Sequence, residues 1–464
     1  MRQNDPDEDP KMIDKAPAPG EDRAQANAPQ ASSEQSTQVG NYFISNYPPY
    51  SFWSSDQLPQ VDQLLASQPV DDRPLGVYVH IPFCRKRCDF CYFKVYTDKN
   101  GREIRRYLEA VTREAEMFVS RDYLRGRKPR FLYFGGGTPS YLSADQMLLL
   151  FSELRRTFDW SEVEEVTYEC EPGTLTRAKV QALGDLGVTR LSLGVENFDA
   201  NILKINNRAH GADEIQSAYG YARDVGFEQI NIDLIAGMIG ESDENWDDCI
   251  EKTLVMNPDS ITVYQMELPY NTTISRQLKA DSSKLAPVAD WETKRRWTER
   301  AFSRFAAAGY SLSSAYTASR GDDTQFVYRD ALWQGADMLG LGVSSFSHLG
   351  GIHFQNEHSF TPYVERVESG ELPLARAYGL NAEELMIREF ILQLKTGRID
   401  ADSFQRKFGV DVLRRFSAPL EQHRRAGMLS LDGPLIRATP QGMLHLDGLL
   451  PPFFLEDHQN ARYA

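Results

Sequence analysis

No stretch of the chain approaches the roughly 20 consecutive apolar residues that a membrane-spanning helix requires, so an integral helical membrane protein is not expected. Positive charge is also short. Lys and Arg number 51 against 66 Asp and Glu, a net charge of −15. A chain this acidic does not neutralise phosphates in general, so no nucleic-acid partner is expected, although a local basic pocket for an anionic ligand remains allowed. Cysteine is scarce and odd in number, with five residues of which three fall within one eight-residue window. That distribution excludes a disulfide framework and suits a metal site in a reducing compartment. The opening MRQNDPDEDPKMIDK has no apolar segment behind a basic start, so no secretory leader is read here and a cytoplasmic location is expected.

The 464 residues exceed what one hydrophobic core usually serves, so two domains plus a tail are expected. Residues 1–40 are rich in Asp, Pro, Ala, Gln and Ser without apolar period, and read as a disordered acidic tail. Residues 41–74 open with NYFISNYPPYSFW, an aromatic segment that reads as a strap packed on the first domain or as a lid near a ligand. From Leu75 to about 310, short apolar runs alternate with helical spacing six times. This implies an α/β fold with parallel strands and outer helices, arranged as a partial (β/α)6 TIM-like barrel. Functional residues belong at the carboxyl ends of such strands, and Cys84, Gly135, Glu169, Glu196, Asp233 and Glu267 each follow an apolar run. Residues 311–380 are less regular and read as an extension completing the site. Residues 381–464 read as a mostly helical, winged-helix-like domain with a hairpin at Asp432-Gly433.

The chemistry concentrates in HIPFCRKRCDFC, where Cys84, Cys88 and Cys91 follow a Cys-x3-Cys-x2-Cys spacing. Three thiolates on one short loop can hold three irons of a [4Fe–4S] cluster and leave the fourth iron open. Arg85, Lys86 and Arg87 between them offset thiolate charge. A zinc site with His80 as fourth ligand is the alternative. Cys170 and Cys249 read as buried, inert thiols. The run Gly135-Gly136-Gly137-Thr138-Pro139 lets backbone approach a ligand, and the Glu169 carboxylate suits a pair of ribose hydroxyls.

The cysteine spacing, directly after a first strand, resembles the radical S-adenosylmethionine (SAM) enzymes. HIPFC, FGGGTPSYL, SLGVENFD, NIDLIAG and LGLGVSSFS together resemble the oxygen-independent coproporphyrinogen III oxidase family, from about Tyr47 to the C-terminus. The resemblance implies a [4Fe–4S] cluster and SAM as cofactors, with Gly136, Gly137 and Thr138 at the methionine end of SAM and Glu169 at its ribose. It also places Tyr78 beside the cluster, Phe90 near adenine, and Arg208 and Asp233 against SAM; read singly, the last two suit ordinary ion pairs. Glu267 and Phe346 match further positions around SAM. Two departures stand out. Glu196 replaces the family's glutamine, and Phe93 replaces an active-site cysteine of the oxidases.

The activity implied is reductive cleavage of SAM to a 5′-deoxyadenosyl radical. That radical takes hydrogen from a tetrapyrrole propionate, which then loses CO2. Its electron comes from a low-potential donor such as flavodoxin or ferredoxin. A radical SAM methyltransferase or cyclopropanase and a non-catalytic haem chaperone are the alternatives on the same scaffold.

Overall fold

The computed structural model describes residues 46–267, 272–274, 288–321 and 324–459. The acidic tail expected at 1–40 and the start of the aromatic segment, 41–45, lie outside them.

The six strands read from the sequence form where expected: β1 (Leu75–Ile81), β2 (Pro129–Gly136), β3 (Glu165–Cys170), β4 (Arg190–Glu196), β5 (Gln229–Ala236) and β6 (Ser260–Gln265). They pair in parallel in chain order. Their near-continuous apolar runs reflect burial on both faces. Helices cross between them: α1 (Leu58–Leu65) before β1, then α2 (Gly101–Val119), α3 (Ala144–Thr157), α4 (Arg177–Asp185), α5 (Ala200–Ile205), α6 (Ala212–Val225), α7 (Asp243–Met256) and α8 (Trp291–Ala307). Helix α2 starts at a capping box in which Asn100 and Glu103 exchange side-chain and backbone hydrogen bonds. It buries Ile104, Tyr107, Leu108, Val111, Ala115 and Phe118 at helical spacing.

The 311–380 region is more regular than its sequence suggests. Strands β7 (Tyr310–Leu312) and β8 (Thr317–Arg320) add antiparallel to β6. Past a short helix α9 (Val327–Trp333), β9 (Asp337–Leu341) adds parallel to β1. Then β10 (Phe346–Leu349), β11 (Ile352–Asn356) and β12 (Leu374–Gly379) continue antiparallel, flanked by helix α10 (Phe360–Glu368). These strands are short and broken by glycine, so they carry little alternation to read. The β10–β11 turn runs through Gly350 and Gly351 at φ 54° and 84°, conformations that glycine adopts at no steric cost. The result is one twelve-stranded, mostly parallel sheet, ordered β12-β11-β10-β9-β1-β2-β3-β4-β5-β6-β8-β7. Its end strands β12 and β7 are not paired with each other among the described residues, so strand pairing does not close the expected barrel.

The C-terminal region is helical: α11 (Ala382–Leu394), α12 (Ala401–Phe408), α13 (Val412–Arg415) and α14 (Ser417–Arg425). The expected hairpin is β14 (Leu429–Asp432) with β15 (Leu435–Ala438), joined on its other side by a strand the sequence did not reveal, β13 (Arg398–Asp400). Phe390, Phe404, Phe416 and Phe453 centre a second apolar core there.

Helix α2 is bolted to the top of the sheet. The Tyr107 hydroxyl donates to His80 O (2.7 Å), and Glu114 accepts from Gly342 N (2.9 Å), Asn356 Nδ2 (2.5 Å) and the Tyr363 hydroxyl (2.5 Å). Burial nevertheless pushes the Glu114 carboxyl up to about 7. A raised carboxyl contributes fully below the unfolded value near 4.5, and that contribution is lost as pH rises through 7. Denaturant titrations from pH 4.5 to 8 are therefore expected to show the native protein losing about 3 kcal/mol relative to Glu114→Gln. A pH-independent difference would refute this assignment.

Candidate active site

The cysteine loop leaves β1 and is tied down at both ends. Cys84 N donates to Tyr96 O (3.1 Å) and Tyr96 N to Pro82 O (2.8 Å). Asp89 N reaches Asn206 O (3.2 Å), and Asn207 Nδ2 reaches Arg87 O (2.9 Å), so the turn after α5 clamps the loop from the far side. Two of the sulfurs are held by other predicted site residues. Thr138 Oγ1 donates to Cys84 Sγ and Arg208 Nη1 to Cys88 Sγ, each at 3.3 Å. Cys91 N donates to Cys88 O (3.1 Å), closing the turn between the last two cysteines.

Burial pushes the Cys84 thiol up to about 12 and that of Cys91 up to about 11. A group held by thiolates here must therefore bring positive charge of its own, as iron does. Arg87 Nε and Arg208 Nε are buried without a hydrogen-bond partner, two donors available to an acidic ligand beside the loop. Among the described residues, no three His, Cys, Asp or Glu side chains converge closely enough for a single metal ion. His80 packs by Gly136, with Nδ1 3.1 Å from the Tyr78 hydroxyl, and burial lowers it to about 4. With His80 held against Gly136 and the Tyr78 hydroxyl, the loop offers three cysteines, the number that leaves one iron of a [4Fe–4S] cluster open, rather than the four ligands of a structural zinc site.

The glycine run is required by contact. At Gly136, φ is 113° and a Cβ would lie 2.6 Å from the His80 ring. At Gly137 a Cβ would lie 2.9 Å from Ile81 O and Pro82 C, because Gly137 N donates to Ile81 O at 2.8 Å. Gly136 N and the Tyr133 hydroxyl both donate to Glu169, at 3.1 and 2.7 Å. Tyr133 in turn stacks on Tyr78, ring centres 5.9 Å apart.

Glu196 occupies a β-bulge, where the β4–β5 register shifts between Gly194 and Glu196. Its φ of 63° is a strained left-handed value for a non-glycine residue. The bulge sets the carboxylate 3.3 Å from Arg208, which also donates to Gly194 O at 2.7 Å. Asp233 accepts from Ser192 Oγ (2.7 Å) and Asn231 Nδ2 (2.9 Å). Burial raises all three carboxyls, Glu169 and Glu196 to about 7 and Asp233 upward from its ordinary value, and the Asp233 charge pushes Glu169 and Glu196 further up. An anionic interior of this kind suits a cationic ligand such as a sulfonium.

Phe90 packs against an apolar cluster of Ile202, Ile235, Met238, Ile239, Met266 and Ile274. Glu267 lies in the field of Tyr92 and Lys294. Phe346, expected around SAM, has its ring between Tyr50 and Trp53, with centres 5.8 and 5.6 Å away. Phe93 is partly exposed and packs on Tyr92 at 4.5 Å. Cys170 and Cys249 are buried away from the loop, as expected of inert thiols.

Sequence reasoning missed Tyr133, Ser192, Asn231 and Tyr264. Polar residues inside otherwise apolar strands were the available signal. Tyr264 is 45% exposed although Val263 beside it is 1% exposed, and the groups acting on its hydroxyl are Asp233, Glu169, Glu196 and Tyr92.

Family comparison agrees with this geometry. Residues 78–253 match the radical SAM superfamily, and residues 380–445 match the HemN C-terminal domain. The oxygen-independent coproporphyrinogen III oxidase of Pseudomonas aeruginosa is 30% identical over 390 residues, covering 80% of this chain and 83% of that one. The Escherichia coli enzyme of the same name is 27% identical over 407 residues, covering 84% and 88%. The solved structure of coproporphyrinogen III oxidase (HemN) from Escherichia coli, a radical SAM enzyme, aligns with TM-score 0.77 at 26% identity over 89% of this chain and 96% of that one. A three-cysteine loop locked to a glycine turn, on a scaffold shared almost end to end, places this chain in the oxygen-independent coproporphyrinogen III oxidase family of the radical SAM superfamily.

Proposed function

We propose that this chain is a radical SAM oxidoreductase acting on a tetrapyrrole propionate, as the names of its relatives indicate for them. The observation that carries it is the lock between Cys84 and Thr138 and between Cys88 and Arg208, which joins the cysteine loop to the glycine turn and to the carboxylates.

In this reading Cys84, Cys88 and Cys91 hold a [4Fe–4S] cluster, the cofactor of this superfamily together with SAM. Bound together, the reduced cluster and SAM supply hydrogen-atom abstraction from an unactivated carbon. The protein contributes position and electrostatics. The Gly136, Gly137 and Thr138 backbone cradles the methionine end of SAM, and Glu169 takes the ribose hydroxyls. Tyr78 walls the cluster side, and Phe90 with its apolar neighbours lines the adenine side. Glu196 and Asp233 balance the sulfonium charge. Arg208 holds Glu196 and the Cys88 sulfur in one frame. A low-potential flavodoxin or ferredoxin delivers the electron. No helix among the described residues is long and apolar enough to cross a membrane.

Anaerobic incubation with reductant, SAM and coproporphyrinogen tests this. The expected result is 5′-deoxyadenosine, CO2 and a vinyl-bearing product in proportion. Phe93 and Glu196 depart from the oxidase pattern, and S-adenosylhomocysteine without CO2 would instead establish methyl transfer or cyclopropanation.

A further inference from the structure

The C-terminal helical region places a buried lysine beside the end of β6. Lys395 follows α11, is 7% exposed, and makes neither a hydrogen bond nor an ion pair through its ammonium among the described residues. Its Nζ instead lies 4.9 Å from the centre of the Tyr316 ring and 5.6 Å from that of Trp333. An enclosed lysine whose ammonium meets only aromatic faces remains available to a charged acceptor. The backbone fixes it there, since Ala315 N donates to Lys395 O at 2.9 Å.

The surroundings are charged. Lys294, Arg295 and Lys395 lie among Glu267, Asp290 and Asp447. The Tyr316 hydroxyl donates to Asp447 Oδ1 at 2.5 Å. Lys294 Nζ is already engaged by Met266 O at 2.8 Å. Among the described residues Lys395 is the lysine of this cluster whose ammonium makes no hydrogen bond, so its donors are open to an incoming acceptor.

This cluster is continuous with the site already described. Val263 N donates to Tyr316 O at 2.8 Å, which lays Tyr316 alongside the end of β6. Tyr264, next on that strand, acts on the Tyr316 hydroxyl and sits among Asp233, Glu169 and Glu196. Tyr316, whose backbone pairs with β6, and Trp333 thus flank Lys395, while Tyr264 on the same strand faces the carboxylates.

We propose that Lys395 anchors a carboxylate of the substrate remote from the reacting one, with Tyr316 and Trp333 lining the face of a flat, aromatic or conjugated body. The anchor rests on the reading of the substrate as a carboxylated tetrapyrrole. It makes the C-terminal region part of substrate selection, because it supplies both Lys395 and Asp447.

Binding of oxidised coproporphyrin III, which carries four carboxylates and does not react, measures this by fluorescence titration without turnover. Lys395→Met is expected to weaken its binding about tenfold to a hundredfold, the range for a lost hydrogen bond to a charged group. Lys395→Arg should bind within about threefold of the native protein, since it keeps the charge. SAM affinity and 5′-deoxyadenosine formation without substrate should not change in either. If Lys395→Met alone is too unstable, Lys395→Met/Asp447→Asn removes both charges and should show the same loss. Equal porphyrin affinity of native and Met variants would overturn the anchor alone. An equal loss of SAM affinity would assign Lys395 a structural role and also overturn it. Failure of the native protein to bind coproporphyrin would overturn both the anchor and the substrate reading.

Discussion

Replacing Cys88 by alanine should leave a folded protein that carries no stable [4Fe–4S] cluster and forms 5′-deoxyadenosine slower by on the order of 10³-fold or more. Cys88 is half-buried and its sulfur is held by Arg208, so its loss removes a ligand without opening the core. Two cysteines on one loop do not hold a cubane whose fourth corner is already open. Cys249→Ala is the matched control. That thiol is fully buried, pushed up to about 12, and away from the loop, so its loss affects stability but not iron content. Iron and acid-labile sulfide analysis of both variants after anaerobic reconstitution checks the pair. Full iron in Cys88→Ala would overturn the ligand assignment.

The second large effect is expected at Arg208. Its guanidinium is half-enclosed by three acceptors at once: the Cys88 sulfur, Gly194 O and the Glu196 carboxylate. Arg208→Met strands Glu196 as an uncompensated buried carboxylate on a strained backbone, which costs about 3–5 kcal/mol. Glu196→Gln in the same chain removes the stranded charge and should recover a large part of that loss. Urea unfolding of the two single variants and the double variant gives the coupling directly. Additive losses would show that the two side chains do not act as a pair. The recovery should not extend to SAM affinity, because the double variant still lacks the donor beside Cys88.

The parts of this fold legible in the sequence are those with strong period. Strands β1 to β6 and their helices repeat one pattern, and each is long enough for its apolar run to stand out. The cysteine loop and glycine run were legible because their chemistry demands particular residues at particular spacing. Strands β7 to β12 were not, because three- to six-residue segments broken by glycine take their partners from the sheet edge rather than from their own pattern. The inward aim of Glu196 comes from a bulge, a register event between two strands that one strand's text does not record. Phe346 shows what a motif match leaves out: no pattern in the sequence signals that its ring packs with Tyr50 and Trp53 of the N-terminal segment. Lys395 was invisible for a simpler reason. It closes a helix over 300 residues from the cysteines, and only the tertiary fold gives it Tyr316, Trp333 and Asp447 as surroundings.

The glutamate at 196 sets the charge balance of the site. A carboxyl raised to about 7 beside Asp233 and Glu169 is charged or neutral according to what else is bound. A cationic ligand favours its charged form, so the site is electrostatically tuned to fill.

The most direct measurement is spectroscopic and elemental. Anaerobically reconstituted protein is expected to contain iron and sulfide in the proportions of one [4Fe–4S] cluster per chain, and the reduced cluster's electron paramagnetic resonance signal is expected to change on adding SAM, as an iron without a protein ligand requires. A chain that binds one zinc and no sulfide, or a cluster whose signal ignores SAM, would contradict the account.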